Sequence, residues 1–309
     1  MIKSPLNYTG GKYKLLPKLL PLFPKEFKNF YDIFAGGAVV AVNVASQDKP
    51  AAMNNSKYII NDIDENVIEL YKYFKNNSLK EIFSTVNELI DIYNLSNTAE
   101  YGYNYYNADS NKGIGAYNRD GFNKLKNDFN NSSFNNDKYC AMFYVLIIYA
   151  FNNQIRFNKK GDFNLPVGKR DFNKNMQKKL IDFHNNINTN DFVFSNNDFR
   201  NFYNIANGDF VYADPPYRIT TASYTENNTW GLEDDLDLFK FLDGLHMKNV
   251  KFAMSNVTQH KGAINKELLD WVNQGGYNLI NLNYHYNNSN YQSRAKNNST
   301  TEVLITNYS

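Results

Sequence analysis

A short apolar run, Phe30-Tyr31-Asp32-Ile33-Phe34, leads straight into Ala35-Gly36-Gly37 and then into helical spacing over residues 38–45. A second run over residues 57–60 stops at Asn61-Asp62-Ile63-Asp64, and helical spacing resumes over 65–74. Strand, glycine turn, helix, strand, acid is the order of a nucleotide-binding βαβ unit, so a parallel sheet flanked by helices is expected. The same pattern returns late in the chain. Strands are expected at 191–194, 210–213, 250–254, 277–282 and 302–307, with helices at 232–245 and 264–272. The middle differs: helical spacing over 78–93, 117–129, 137–149 and 174–188, a long loop over 94–115, and a β-hairpin over 155–165 turning at Asn158-Lys159-Lys160-Gly161-Asp162. Residues 12–22 have helical spacing broken by Pro17 and Pro21. The expected organisation is α/β, with one sheet domain built from 1–74 and 189–309 and a mostly helical insertion at 75–188.

The composition excludes several classes. With 42% hydrophobic and 21% charged residues in 309, the chain can bury a core and is not a disordered polymer. A single cysteine, Cys140, excludes a disulfide framework and a thiolate metal cluster. His184, His246, His260 and His285 form no i,i+4 pair, so no metal site is expected. The N-terminus carries no hydrophobic signal region, and the longest apolar stretch, 139–151, is too short to span a bilayer. A cytoplasmic protein without a membrane partner is therefore expected. A net charge of +2 gives little overall attraction to nucleic acid. Locally, Arg156 to Lys179 carries eight basic residues against two acids, Asp162 and Asp171, which suits either a solvated face or a phosphate-contacting surface.

Asp214-Pro215-Pro216-Tyr217 follows the strand pattern Phe210-Val211-Tyr212-Ala213, where an open α/β sheet binds its ligands. Two prolines remove two backbone donors and leave carbonyls beside the Asp214 carboxylate. The turn is thus an acceptor-rich cradle for an –NH₂ group, and Tyr217 offers a flat face to a ring. The alternative is an ordinary proline-stiffened turn. The Gly36-Gly37 bend permits close approach of a ligand to backbone. Asp62 ends the next strand, where an acid accepts from ribose hydroxyls or caps the following helix.

Taken together, Asn7-Tyr8-Thr9-Gly10-Gly11-Lys12, Asp32-Ile33-Phe34-Ala35-Gly36-Gly37, Asn61-Asp62-Ile63 and Asp214-Pro215-Pro216-Tyr217 resemble the Dam-type (alpha-group) DNA adenine methyltransferases, the Dam enzyme of T-even phages among them. Val250 to Asn256, Thr301-Glu302-Val303-Leu304 and the Arg156 to Asn164, Pro166 and Gly168-Lys169-Arg170 stretches extend the resemblance over nearly the whole chain. It is weakest over 94–117. The resemblance implies a Rossmann-like S-adenosylmethionine-dependent methyltransferase sheet whose insertion recognises the target and carries a β-hairpin. By motif position Tyr8, Lys12, Phe34, Gly36, Asp62, Asp198, Phe199 and Asp214 bind S-adenosylmethionine, and no metal is needed. Ala38 stands where the family commonly has a second glycine. The resemblance further implies that Phe151, Asn152, Gln154, Arg156, Pro166 and Arg170 contact double-stranded DNA, the arginine forks either reading guanine in the major groove or pairing with phosphate. Asn152 and Gln154 replace a serine and a methionine of the phage pattern, which points to GATC or a longer site containing GAT.

The reaction so implied is methyl transfer to the N6 amine of a flipped adenine, with Asp214, Pro215, Pro216 and Tyr217 at the reacting centre. Residues 218–228, polar and without periodicity, suit a loop closing over the base. A restriction endonuclease of the same modification system is an expected partner. Absence of a Pro-Cys pair excludes a cytosine-C5 enzyme. Two alternatives stay open: a DNA-binding protein without catalysis, and an RNA or protein amine methyltransferase.

Overall fold

A computed structural model describes residues 1–47, 50, 53, 55–109, 111–132, 136–220, 230–282 and 300–309. The chain divides into two compact units. One comprises Met1–Gly11, Gly36–Ser46 and Asp64–Asn190; the other comprises Lys12–Ala35, Gln47–Ile63 and Asp191–Ser309.

The second unit carries the sheet. Its strands are β1 (Phe30–Asp32), β2 (Tyr58–Asn61), β3 (Phe192–Ser195), β4 (Phe210–Ala213), β5 (Lys251–His260), β6 (Ala263–Ile264), β7 (Asn278–Asn281) and β8 (Thr300–Thr306). They lie in the order β3-β2-β1-β4-β5-β8-β7, with β6 hairpinned onto β5. From β3 to β5 every pairing is parallel, whereas β8 runs antiparallel between β5 and β7. Chain order reverses between β1 and β4, and the carboxyl ends of strands at such a reversal are where open α/β sheets bind ligands. The central strands read as continuous apolar runs because both of their faces are buried; β4 is buried at all four positions. The helices Leu232–Met247 and Lys266–Gly275 pack Leu238, Leu242, Leu268 and Trp271 with Phe252 and Met254 of β5.

Two expectations for this unit change, and a third is not tested. β5 runs to His260, six residues beyond the expected end, because Ser255 to His260 pair with β8 across a bulge at Val257/Gln259. Residues 12–22 hold only one α-turn, Leu16–Leu19, between two 3₁₀ turns. The expected closing loop, 218–228, lies outside the described residues from 221 onward.

The first unit is helical. Around Asp137–Tyr149, buried from Tyr139 to Tyr149, pack the helices Glu65–Asn76, Leu79–Ile92 and Gly115–Asn130. Burial pushes the Cys140 thiol up to about 12, which keeps it protonated and inert. No helix among the described residues is long and apolar enough to cross a membrane. The expected loop over 94–115 holds a helix, Thr98–Tyr105. The buried Asp171 carboxylate secures its start by accepting from Thr98 N (2.7 Å), Thr98 Oγ1 (2.7 Å) and Ser96 Oγ (3.0 Å). Asp171→Ala should cost about 2–4 kcal/mol in urea unfolding, because one buried and two partly buried donors lose a charged acceptor.

The expected hairpin over 155–165 is a turn rather than a ladder. Asn158 N donates to Asp162 O (2.9 Å) and Asn164 N to Arg156 O (3.1 Å), around one isolated bridge, Phe157–Phe163. The 166–170 turn then crosses the end of the long buried helix: Gly168 N donates to Tyr149 O (2.7 Å) and Phe151 N to Pro166 O (2.9 Å). A Cβ on Gly168 would lie 2.2 Å from Ala150 O, so only glycine permits this crossing.

Candidate active site

In the sheet unit the strand ends are stitched by asparagine. Asn61 Nδ2 donates to Ile33 O (3.1 Å) and Asn197 O (2.9 Å), and Asn197 N donates back to Asn61 Oδ1 (2.9 Å). Asn196 Nδ2 holds the carbonyls of Asp62 (2.8 Å) and Ile63 (3.0 Å). These bonds fix the ends of β1, β2 and β3 as one rim. Asp62 is buried on that rim, and the cap on the following helix comes from Asp64 rather than Asp62. Ile63, next in the chain, is 73% exposed, which makes it an apolar platform at a strand end. Phe34 lies edge-on to Trp230 (centroids 5.4 Å) and tilted on Phe199 (5.4 Å). Phe199 itself is buried, and Asp198 caps its short helix through Arg200 N (2.9 Å) and pairs with the Arg200 guanidinium (3.1 Å).

Beyond β4 the turn begins at Asp214. Its Oδ2 lies 2.9 Å from Lys12 Nζ, and its Oδ1 accepts from Tyr217 Oη at 2.7 Å. Lys12 also sits 4.9 Å from the centre of the Tyr217 ring. A second carboxylate stands behind: Glu302 Oε1 is 3.5 Å from Lys12 Nζ and accepts from Tyr217 Oη at 3.3 Å. The Asp214 side chain is 18% exposed, whereas those of Lys12 and Glu302 are 3% and 0% exposed. Glu302 lies opposite Val257 in the β5–β8 register, deep in the sheet. Burial lowers the Lys12 pKa, but the charges of Asp214 and Glu302 outweigh it and hold the ammonium above its ordinary 10.5. Burial, then the charges of Asp214 and Glu302, push the Tyr217 phenol well above 10, so it remains a neutral donor. Arg218 leaves the turn to bind Asp235 (2.8 Å) and Glu267 (2.8 Å).

The structure thus brings Lys12 together with Asp214 and Tyr217, three residues singled out from sequence. Glu302 and Trp230 were not singled out for the site. Lone residues on a late strand or before a helix carry no spacing signal, although the Thr301-Glu302-Val303-Leu304 stretch was part of the resemblance.

In the helical unit a Cβ on Gly36 would meet Tyr8 Cδ1 at 2.8 Å, so the Tyr8 ring lies flush against the glycine bend. Phe151, Asn152, Arg156, Pro166 and Arg170 are exposed, and Gln154 is half-buried. Asn152 and Asn153 both take left-handed backbone, at φ +55° and +53°. The Asn153 side chain caps the Asp137–Tyr149 helix by donating to the Ile148 carbonyl. The Asn152 carbonyl accepts from Asn7 Nδ2 at 2.6 Å. Arg156 is oriented by Asn164, Nε to Oδ1 at 2.7 Å, whereas Arg170 makes no hydrogen bond or ion pair among the described residues.

A parallel sheet closed by an antiparallel β8, with an acid ending β2 and an acceptor turn after β4, defines a Rossmann-like S-adenosylmethionine-dependent methyltransferase fold. The chain belongs to the D12 class N6 adenine-specific DNA methyltransferase family, which it matches over residues 8–288. It is 38% identical to Modification methylase StsI of Streptococcus sanguinis and 36% identical to Type II methyltransferase M.FokI of Planomicrobium okeanokoites, each over 99% of this chain and 43% of the relative. It is 26% identical to the DNA adenine methylase of Escherichia coli K12, over 81% of this chain and 79% of that enzyme. The chain spans less than half the length of the first two relatives.

Proposed function

We propose that this protein transfers a methyl group from S-adenosylmethionine to the exocyclic N6 amine of an adenine flipped out of duplex DNA. The observation that carries the reading is the Asp214 carboxylate, at the end of β4, with an N–H donor on one oxygen and an O–H donor on the other. A carboxylate presented this way is built to accept hydrogens from a donor group, and family membership supplies the amine.

The residues suit the methyl donor. Within the sheet unit Asp62 offers a carboxylate to ribose hydroxyls, Ile63 an apolar face to a purine, and Phe34, Asp198 and Phe199 the neighbouring border. Lys12 and Asp214 are charged groups of the same unit; Tyr8 and Gly36 are assigned to the cofactor by motif position alone. S-adenosylmethionine supplies a methyl group already activated on a positively charged sulfur. The protein's work is on the acceptor. Asp214 and the Pro215 carbonyl accept hydrogen bonds from the two amine hydrogens, which localises the nitrogen lone pair and stabilises the positive charge that grows there; as the methyl–sulfur bond breaks and the nitrogen–carbon bond forms, the amine gives up one of these protons to solvent. Tyr217 stacks on the flipped base and recovers about 1–3 kcal/mol of the unstacking cost. Pro216 holds the turn rigid.

The insertion at 75–188 is the target-recognition part, with Phe151, Asn152, Gln154, Arg156, Pro166 and Arg170 at the DNA. Its motif order resembles the Dam-type enzymes, those of T-even phages included, and supports GATC or a longer GAT-containing site. The modification methylases among the relatives support a role beside a cognate restriction endonuclease, in the cytoplasm. Incubation with tritiated S-adenosylmethionine and duplex DNA, followed by nucleoside analysis, should yield N6-methyladenine; label in cytosine or in protein would overturn the reading.

Arg170→Ala should relax base preference at one position, a loss of about 1–3 kcal/mol of discrimination. Sequencing of methylated sites from a randomised duplex checks this. Uniformly weakened binding would make Arg170 a phosphate contact instead.

A further inference from the structure

Both donors on Asp214 have a second acceptor within reach. Lys12 Nζ lies between Asp214 Oδ2 (2.9 Å) and Glu302 Oε1 (3.5 Å); Tyr217 Oη lies between Asp214 Oδ1 (2.7 Å) and the same Glu302 oxygen (3.3 Å). Asp214 is the partly exposed member and Glu302 the fully buried one. A target amine must displace these donors from Asp214 before it can be held there. A buried ammonium or phenol left without an acceptor would make that displacement costly.

We propose that Glu302 is a positioning residue that receives Lys12 and Tyr217 when the target amine takes their place on Asp214. The inference rests on the methyl-transfer reading above. Its logic is charge balance. With Lys12 moved onto Glu302, the negative charge of Asp214 is left to the nitrogen on which positive charge develops. Without the charge of Glu302, Lys12 stays on Asp214 as a competitor, and its own charge opposes the one that grows. A full charge at this range within a protein is worth roughly one to two orders of magnitude in rate. Among the described residues, titratable groups near this cluster include Tyr212, neutral because burial raises its pKa well above 10, and Asp32 on β1, whose charge acts with those of Asp214 and Glu302 on Tyr212.

The test compares Glu302→Gln, which keeps size and an acceptor but loses the charge, with Glu302→Asp, which keeps the charge. Single-turnover transfer at pH 7.5 should fall roughly 10- to 100-fold in Glu302→Gln and by less in Glu302→Asp. Binding of S-adenosylmethionine and of DNA should change little. Removing Glu302 removes one of the two charges that raise the Lys12 pKa, so the Glu302→Gln rate should recover as pH rises toward 10. A merely structural glutamate would not give this profile. The Lys12 ammonium, followed by ¹⁵N NMR of lysine-labelled protein, should titrate at lower pH in Glu302→Gln than in the parent. If the parent transfers methyl groups and Glu302→Gln keeps the full rate, the proposal is overturned. If the parent transfers none, the methyl-transfer reading fails, and the Lys12 titration alone decides: an unshifted value overturns the role of Glu302. Should Glu302→Gln not fold, Glu302→Asp decides, since a loss as large as that of Asp214→Ala would contradict a role resting on charge.

Discussion

Asp214→Asn should lower methyl transfer by about 10²–10³-fold, and Asp214→Ala should take it below detection, while DNA affinity should stay within about threefold of the parent. The asparagine is isosteric, so the turn survives. Its amide has one acceptor oxygen, which the adjacent Lys12 ammonium, 2.9 Å away in the parent, would claim. Nothing charged is left for the amine, and the amide's own –NH₂ faces the place where another donor should arrive. Single-turnover assays with saturating DNA isolate this effect from binding. The substitution also has a stability consequence with a definite sign. In the parent the folded pKa of Lys12 is raised above 10.5, so its contribution is fully present below the unfolded value and is lost only as pH climbs through the folded one. Parent stability should therefore be insensitive to this pair between pH 6 and 9. In Asp214→Ala the burial of Lys12 persists with one carboxylate instead of two, and the protein should unfold more readily across the whole of that range. Asp214→Ala with most of its activity intact would remove the turn from the chemistry.

The parallel core could be read from the chain because it depends on local order: an apolar run, a glycine bend, a helix, a second run, an acid. The acceptor turn was legible for the same reason, since Asp214 to Tyr217 are contiguous. What escaped was set by neighbours distant in sequence. The extra length of β5 depended on a partner, β8, some forty residues away in the register. The helix Thr98–Tyr105, in an asparagine- and tyrosine-rich stretch of weak propensity, is anchored by Asp171, far along the chain. Glu302 joined the site for a similar reason: Lys12, nearly three hundred residues earlier, is buried against it. A lysine in a first-turn motif and a glutamate in an apolar strand each have ordinary surface readings until they are seen to neutralise one another.

Gly36→Val should lower thermal stability by about 3 kcal/mol and weaken S-adenosylmethionine binding by about 100-fold or more. Two effects add. The residue sits at φ +47°, a region that costs an L-residue about 1–2 kcal/mol and a β-branched one more. Its Cβ would also meet the Tyr8 ring at 2.8–2.9 Å, so Tyr8 must shift or the bend must open. The Gly36 carbonyl accepts from the buried Tyr71 hydroxyl at 2.6 Å, which ties the bend to the Glu65–Asn76 helix and resists opening. Ala38, two residues on, supplies the control. It too is left-handed, at φ +54°, yet its methyl group is fully buried. In Ala38→Gly the relief of backbone strain, about 1–2 kcal/mol, is offset by chain entropy of about 0.5–1 kcal/mol and by a lost buried methyl of about 0.8 kcal/mol. Its net change should lie within about 1 kcal/mol of zero, with cofactor affinity equal to or better than the parent's. Calorimetric unfolding and titration with S-adenosylmethionine measure both variants. Tight binding by Gly36→Val would take the glycine bend out of the proposed cofactor site, because a branched side chain there cannot coexist with Tyr8 in its present place.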